Sequence, residues 1–475
     1  MVWSPDYEVM FKPKTIAVVG ASRTQPTQGW LGLLGCLQDF GFPGHIYPIN
    51  PNTTEINGLK AYPNLVSVPE PIDLVTVSVP APAVPQVLED CIASHNRNVH
   101  IFTAGFKETG TTEGIKLEEH IKEIAQRGNL HVIGPNCMGL YVPAARLVTW
   151  KPASPISGPV AFISQSGGHA GDYTNYACQF GIHFSKVISY GNALTLDCTD
   201  FLEYLADDTE TSIISMYLEG VKDGGKLTRL VREINHTKPI IMLKGGLTES
   251  GARAVASHTG SLAGSEALWN SFFKQTGAVR VESLEEMAEV VLSFLQLNPP
   301  QGHHVGIIGT GGGVAVSCAD TCAREGLQIP PLLEETRKEL QNFVPIAGSS
   351  IRNPLDTEAV FRDMNLLERT LDLVSAEPQI DMLIIDLHLD WLHDISPSHL
   401  DVLTHFLATS SRNYTHGKPM VVSWRSWRND PDLETMKSKI QTTLIEAGLP
   451  IYHGLSRAAH VLAKLAQYQE LKNRA

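Results

Sequence analysis

Thr15-Ile16-Ala17-Val18-Val19-Gly20-Ala21-Ser22-Arg23 is a short, β-branched apolar run that stops at a glycine and small polar residues. Such a run reads as a buried strand whose glycine turns the chain at the carboxyl end. A helix-like segment follows it. Further runs of the same kind are His45-Ile46-Tyr47-Pro48-Ile49-Asn50, Leu74-Val75-Thr76-Val77-Ser78-Val79, Val99-His100-Ile101-Phe102-Thr103 and His131-Val132-Ile133-Gly134. Amphipathic segments, 83–94 and 113–127 among them, separate these runs. That alternation is a βαβ repeat and predicts a doubly wound parallel sheet over residues 1–148.

Ligands of such sheets bind at the carboxyl ends of the strands, over helix N-termini whose free N–H groups attract phosphate. The runs end in Gly20-Ala21-Ser22-Arg23, Asn50-Pro51-Asn52, Val79-Pro80-Ala81-Pro82, Thr103-Ala104-Gly105-Phe106 and Gly134-Pro135-Asn136-Cys137. Any one of these loops alone reads as a turn, but together they point to a nucleotide-containing ligand. An ordinary NAD site is disfavoured. Ser22 stands where the dinucleotide fingerprint wants its second glycine, Asn50 ends the second strand in place of an acid, and Asp39 precedes that strand.

A chain of 475 residues suggests roughly three domains. Lys+Arg number 37 against Asp+Glu 50, a net charge of −13, which argues against a nucleic-acid or anionic-membrane surface. The first residues lack a basic-then-apolar signal pattern, and no apolar run approaches the roughly 18 residues of a membrane span. The seven cysteines are scattered and lack paired metal spacings, so they read as reduced thiols of a cytoplasmic protein. Cys318 and Cys322 share a helix face, with core packing as the expectation and no metal site predicted.

In the middle of the chain, Gly158-Pro159-Val160-Ala161-Phe162-Ile163 reads as a strand, and Ser164-Gln165-Ser166-Gly167-Gly168 turns into a helix from about His169. Small residues there let backbone N–H groups approach a phosphate. Ile213-Ile214-Ser215-Met216-Tyr217-Leu218 delivers Glu219 at its carboxyl end. Glu219 has two readings of equal weight: a surface pair with Lys222, or a carboxylate that fixes an imidazole tautomer. After the strand Pro239-Ile240-Ile241-Met242-Leu243-Lys244 comes Ser257-His258-Thr259-Gly260-Ser261-Leu262-Ala263-Gly264. Small neighbours keep the His258 ring accessible for phosphoryl transfer, unlike a histidine merely satisfied in a loop, which is the reading for His303, His304 and His388. Lys244 and Arg253 either help with phosphate charge or are plain surface.

Pro299-Pro300-Gln301-Gly302 reads as a linker. Val305-Gly306-Ile307-Ile308 then leads into Gly309-Thr310-Gly311-Gly312-Gly313, with Val314 at the third fingerprint glycine. Met382-Leu383-Ile384-Ile385-Asp386 and Pro419-Met420-Val421-Val422-Ser423-Trp424 are later parallel-type strands.

Several of these stretches, in this order, resemble the NDP-forming acyl-CoA synthetases, the superfamily of succinyl-CoA synthetase and the ADP-forming acetyl-CoA synthetases. They are Gly20 to Arg23, Tyr47-Pro48-Ile49-Asn50-Pro51-Asn52, Gly58-Leu59-Lys60-Ala61-Tyr62 and Gly134-Pro135-Asn136-Cys137-Met138-Gly139-Leu140. The likeness continues through Ile163 to Gly168, Asp200-Phe201-Leu202-Glu203-Tyr204-Leu205, Tyr217 to Asp223, the His258 stretch and Asn353-Pro354-Leu355-Asp356. It implies an α/β chain of three doubly wound domains in the alpha-subunit order. These are a Rossmann-like CoA-binding domain over 1–148, a flavodoxin-like ligase domain carrying the phosphohistidine over 155–298, and a second flavodoxin-like ligase domain over 302–470.

The resemblance also assigns roles. CoA or acyl-CoA falls to Gly20, Ser22, Arg23, Asn50, Val79, Pro80, Thr103, Ala104, Gly105 and Asn136. Phosphate falls to Ser164, Ser166, Gly167 and Gly168. His258 is the phosphorylated nucleophile, and Glu219 steadies it. The implied ligase reaction interconverts acyl-CoA, phosphate and ADP with acid, CoA and ATP. ADP or ATP with Mg2+ is expected on an ATP-grasp beta subunit, as in an α2β2 hetero-oligomer, since no ATP-grasp-sized segment follows in this chain. The alternative, a non-catalytic CoA-binding scaffold or regulator, is opposed by the retained His258, Glu219 and Ser166 to Gly168. One departure stands out: Gly168-His169 replaces the alanine and apolar residue usual in the family. Asp356 reads as a turn or helix-cap residue.

Overall fold

A computed structural model describes residues 7–22, 32–151, 154–253, 265–309, 311–345, 349–428 and 430–474. His258 and Arg23 lie outside the described residues. The chain forms two compact units, Met1–Ala288 and Glu289–Ala475.

The first unit contains two sheets. In the first sheet the order is His45–Ile49, Thr15–Val19, Leu74–Val77, Asn98–Ile101 and His131–Ile133, all parallel. Thr15–Val19 is buried along its whole length, as its unbroken apolar run predicts for a strand covered on both faces. Of the covering helices, Thr112–Arg127 starts where the Thr111 hydroxyl accepts from the Gly114 N–H at 3.1 Å, and it buries Ile121, Ile124 and Ala125. In chain order the strands run 2-1-3-4-5, so the sheet reverses direction between the first and third. Gly20 and Ser78 to Pro80 sit at that reversal. Gly20 has φ +88°, and a Cβ there would collide with the Ser78 carbonyl.

The second sheet has the order Val279–Val281, Ile240–Lys244, Ile213–Leu218, Ser157–Ser164, Phe184–Ser189, Gly139–Val142 and Leu147–Val148. Its first five strands are parallel and again run 2-1-3-4-5 in their own chain order. The hairpin of Gly139–Val142 and Leu147–Val148 adds antiparallel to Phe184–Ser189. Sequence patterning put residues 139–148 at the end of the first domain, whereas their hydrogen bonds lie in the second sheet. The strand Phe184–Ser189 went unmarked in the sequence because Lys186 interrupts its apolar run. Lys186 is fully buried there, with its ammonium 2.8 Å from Asp208 and 2.7 Å from Glu210.

In the second unit, Val305–Ile308, Met382–His388, Met420–Arg425 and Ile451–His453 form a parallel sheet in that order. Leu355 bridges to Ile308 on the outer side of the first of these strands. Asp356 exchanges backbone hydrogen bonds with Ser350 at 2.8 and 2.9 Å, a turn-closing position. Cys318 and Cys322 are both buried on the helix Gly312–Arg324 and are free thiols. Among the described residues no helix is long and apolar enough to cross a membrane, and no cluster of His, Cys, Asp and Glu could hold a metal ion.

Candidate active site

The chain reversal of the second sheet falls between Ser157–Ser164 and Ile213–Leu218, and both carboxyl ends open there. From the first strand comes Ser164-Gln165-Ser166-Gly167-Gly168, and from the other comes Glu219. The helix Gly167–Cys178 begins at Ser166, whose hydroxyl accepts from the His169 N–H at 3.3 Å. Its first turn leaves backbone N–H groups facing outward. Gly167 packs so tightly on Met138 that a Cβ would lie 2.9 Å from its Cγ, whereas a Cβ on Gly168 would come no closer than 3.9 Å to the Ser166 hydroxyl. These glycines differ in purpose: one admits a close neighbour, the other leaves open space.

A cavity of about 430 Å³ lies over this turn, walled by Ser166, Gly168 and Glu219 on one side and by Phe102, Asn136 and Met138 from the first sheet's loops on the other. A second space of about 290 Å³, bordered by Lys107, Asp197 and Lys222, shares Gln165 and Asn192 with it. The loop bearing Asn192 ties the two sheets together. The Asn192 N–H donates to the Pro135 carbonyl at 3.0 Å and the Leu194 N–H to that of Gly134 at 2.8 Å. The Asn192 amide donates to Glu108 at 2.6 Å and to Glu118 at 2.8 Å.

Glu219 is only 6% exposed. Its Oε1 accepts from the Tyr217 hydroxyl at 3.2 Å, and its Oε2, also buried, has no hydrogen-bond partner among the described residues. A buried carboxylate oxygen without a donor is costly, so this atom is an open acceptor beside the cavity. The backbone beneath it is fixed by Gln165, whose amide oxygen accepts from the N–H groups of Glu219 at 2.8 Å and Gly220 at 3.1 Å. Lys222 does not pair with Glu219. Its ammonium donates to the carbonyls of Ala193 and Leu194.

Lys244 is 5% exposed, donates to the Glu219 carbonyl at 2.9 Å and to that of Gly245, and sits 4.9 Å from the Trp269 ring centroid. Burial pushes its ammonium down to about 8, against the pull of the Glu219 charge. Arg253, by contrast, is exposed and pairs with Glu249 on the surface. His169 stacks on Tyr217 with ring centroids 4.2 Å apart and planes 28° from parallel, and its Nδ1 lies 3.3 Å from the Ser166 hydroxyl. Burial lowers the His169 imidazole, and Asp172 and Glu219 oppose that shift.

The sequence-predicted residues divide accordingly. Ser166, Gly167, Gly168 and Glu219 come together at the cavity. Ser164 is fully buried and its hydroxyl donates to the Ser166 carbonyl at 2.7 Å, so it shapes the turn from below. Gly20, Ser22, Asn50, Val79 and Pro80 share the first sheet's carboxyl edge. There the Asn50 amide donates to the Ala21 carbonyl at 2.8 Å, holding two of the loops together. The Thr103 hydroxyl donates to the Val79 carbonyl at 2.7 Å, and Gly105 gives its N–H to Glu108 at 2.6 Å. Ala104 and Asn136 line the cavity itself. Gln165, Asn192, Tyr217 and His169 were not singled out as site residues. Of these, only His169 stood out in the sequence, as half of the Gly168-His169 departure.

Fold and site together define a CoA-ligase type of architecture. A model of the CoA binding domain matches residues 14–143, and one of the succinyl-CoA ligase like flavodoxin domain matches residues 157–294. The alpha subunit of ADP-forming acetate–CoA ligase II of Pyrococcus furiosus is 34% identical over 97% of this chain and 98% of its own. The alpha subunit of isoenzyme I from that organism is 39% identical over 74% of this chain and 76% of its own. A solved acetyl-coenzyme A synthetase 1 of Ca. Korarchaeum cryptofilum, in complex with phosphate and ADP, superposes with a TM-score of 0.85 at 31% identity over 98% of both chains. The chain belongs to the ADP-forming acyl-CoA synthetases, with the domain order of their alpha subunits. Other relatives are longer: this chain spans 54% of ADP-forming acetate–CoA ligase I of Archaeoglobus fulgidus and 50% of the ligase of Methanocaldococcus jannaschii.

Proposed function

We infer that this chain carries the acyl-CoA and phosphohistidine half of an ADP-forming acid–CoA ligase. CoA lies along the carboxyl edge of the first sheet, on Gly20, Ser22, Arg23, Asn50, Val79, Pro80, Thr103, Ala104, Gly105 and Asn136. Its thioester end enters the cavity over Ser166 to Gly168. A phosphate held by the helix N-terminus attacks the thioester carbonyl. The C–S bond breaks, the thiolate leaves as CoA, and an acyl phosphate remains. A His258 ring nitrogen then attacks phosphorus and the acid departs as its carboxylate. The second ring nitrogen donates its N–H to Glu219, which fixes the tautomer and offsets the developing positive charge. The phosphohistidine passes to ADP at an ATP-grasp site outside these residues, where Mg2+ is expected. The alpha-subunit relatives support placing that site on a beta subunit, and a hetero-oligomer such as α2β2 is our proposal for the assembly.

The observation that carries this reading is the unpartnered, buried Oε2 of Glu219 beside the glycine turn. It is an acceptor awaiting a donor, the part an imidazole N–H would take in this reading. The test is incubation with radiolabelled ATP and the candidate beta subunit, followed by assay for acid-labile, alkali-stable phosphate on this chain. Label on the wild type and none on His258→Ala is expected. Persistence of the label in that variant would refute the assignment.

A further inference from the structure

We propose that His169 is a further phosphate-binding residue, which couples phosphate uptake at the Ser166–Gly168 turn to uptake of a proton. The inference rests on the phosphate site proposed above and adds a residue to it. His169 occupies the first turn of the helix Gly167–Cys178, and its ring folds back so that Nδ1 lies 3.3 Å from the Ser166 hydroxyl oxygen. That oxygen already accepts from the His169 backbone N–H. The hydroxyl has one proton to give, and the imidazole decides where it goes.

In the neutral ring with its proton on Nε2, Nδ1 is an acceptor and the Ser166 hydroxyl donates to it. The hydroxyl then turns only lone pairs toward the cavity, which suits no phosphate oxygen. In the imidazolium Nδ1 becomes a donor, Ser166 accepts from it, and the hydroxyl proton is released to a ligand oxygen. Protonation enforces that arrangement, which the neutral Nδ1–H tautomer also allows, and adds the positive charge. Before a ligand arrives the imidazolium is disfavoured by half-burial and by the positive end of its own helix. The negative charge of a bound phosphate favours the imidazolium against both effects.

Among the described residues, the charged and titratable groups facing the ring are Asp172 on its own helix and, from the adjoining strand, Tyr217 and Glu219. The nearest cation on the next strand, Lys244, is held by the Glu219 carbonyl. Stacking on Tyr217, whose hydroxyl holds Glu219 Oε1, keeps the ring in place in either state.

The test is calorimetric binding of inorganic phosphate to the full chain at about pH 6 and about pH 8, the window in which histidine titrates. A His258→Asn background removes the titration of His258. The His169→Phe variant keeps the stack and loses Nδ1. Phosphate's own ionisation affects both proteins alike, so the comparison isolates His169. Affinity in the parent should improve toward acid by roughly tenfold more than in the Phe variant, the size of one charge-assisted hydrogen bond. By linkage, saturating phosphate should raise the His169 pKa correspondingly in a histidine NMR titration. Equal pH dependence in both proteins, with an unmoved His169 resonance, overturns the inference and leaves the phosphate site standing. Failure of the parent to bind phosphate overturns site and inference together, while the role of His258 is read separately by the labelling experiment.

Discussion

Replacing Glu219 with glutamine separates its chemical role from its structural one. The substitution keeps the side chain's shape and its acceptor for Tyr217 at 3.2 Å, but removes the charge and puts an NH2 where Oε2 has no partner. In the folded protein two changes nearly cancel. A buried charge with a single side-chain hydrogen bond is relieved, and a buried amide donor is left unsatisfied. Each is worth on the order of 1–3 kcal/mol, with opposite signs. The melting temperature should therefore stay within about 4 °C of the wild type. In phosphoryl transfer the changes do not cancel. The lost interaction is a charge-assisted hydrogen bond to the attacking imidazole, about 1.5–3 kcal/mol, or about 10–150-fold in rate. The assay is single-turnover labelling of this chain by radiolabelled acetyl phosphate without a partner, with thermal melts alongside. Wild-type labelling by a folded Glu219→Gln protein, or labelling lost only in step with stability, would refute the reasoning.

Gly20→Ala should destabilise the first unit by about 2–5 kcal/mol, the cost of left-handed backbone at φ +88° plus collision with the Ser78 carbonyl, and should abolish CoA binding in calorimetry. Unchanged CoA affinity would remove that edge from the site. Gln165→Leu strips the acceptor from the N–H groups of Glu219 and Gly220 and should cost about 2–4 kcal/mol in urea unfolding, with Gln165→Glu recovering most of it. Equal losses in both variants would show that packing, not the acceptor, matters. Lys244, depressed from 10.5 to about 8, binds its proton more weakly when folded than unfolded, so its contribution to stability rises with pH between those values. Lys244→Met should flatten that rise in unfolding curves measured from pH 7 to pH 10, and identical slopes would show that Lys244 keeps its proton.

Most strands that pattern reading found are buried on both faces, where an unbroken apolar run is what a parallel sheet demands. Thr15–Val19 and Ile213–Leu218 are of this kind. Phe184–Ser189 escaped because a buried ion pair is invisible to hydropathy: Lys186 looks like a surface residue until Asp208 and Glu210 are brought to it. The pairing of the hairpin 139–148 was not read from the sequence because its partner, Phe184–Ser189, lies some forty residues downstream, a pairing no local window contains. At the site, strand ends with small residues were legible because backbone geometry restricts which residues fit there. Gln165 and Asn192 were not, since their value lies in the groups they reach rather than in their neighbours along the chain. The Ser164 hydroxyl lies beneath the turn, while Ser166, two residues on and already at the helix cap, borders the cavity.

Both sheets of the first unit reverse chain direction at a point where loops open, and the loop carrying Asn192 joins the two openings. Asn192 borders both cavities while its amide is held by Glu108 and Glu118 of the first sheet's loop and helix. Lys107 completes that anchor, 2.8 Å from Glu118 and 2.9 Å from the Asn192 carbonyl. A loop held at that many points from the opposite sheet cannot move without disturbing the wall between the CoA edge and the glycine turn. Asn192→Ala should accordingly weaken CoA and inorganic phosphate binding together, because it loosens a shared wall rather than a contact to either ligand. Weakening of one alone in paired calorimetric titrations would mean that the two openings act as separate sites, and the continuous path from thioester to phosphate would have to be abandoned.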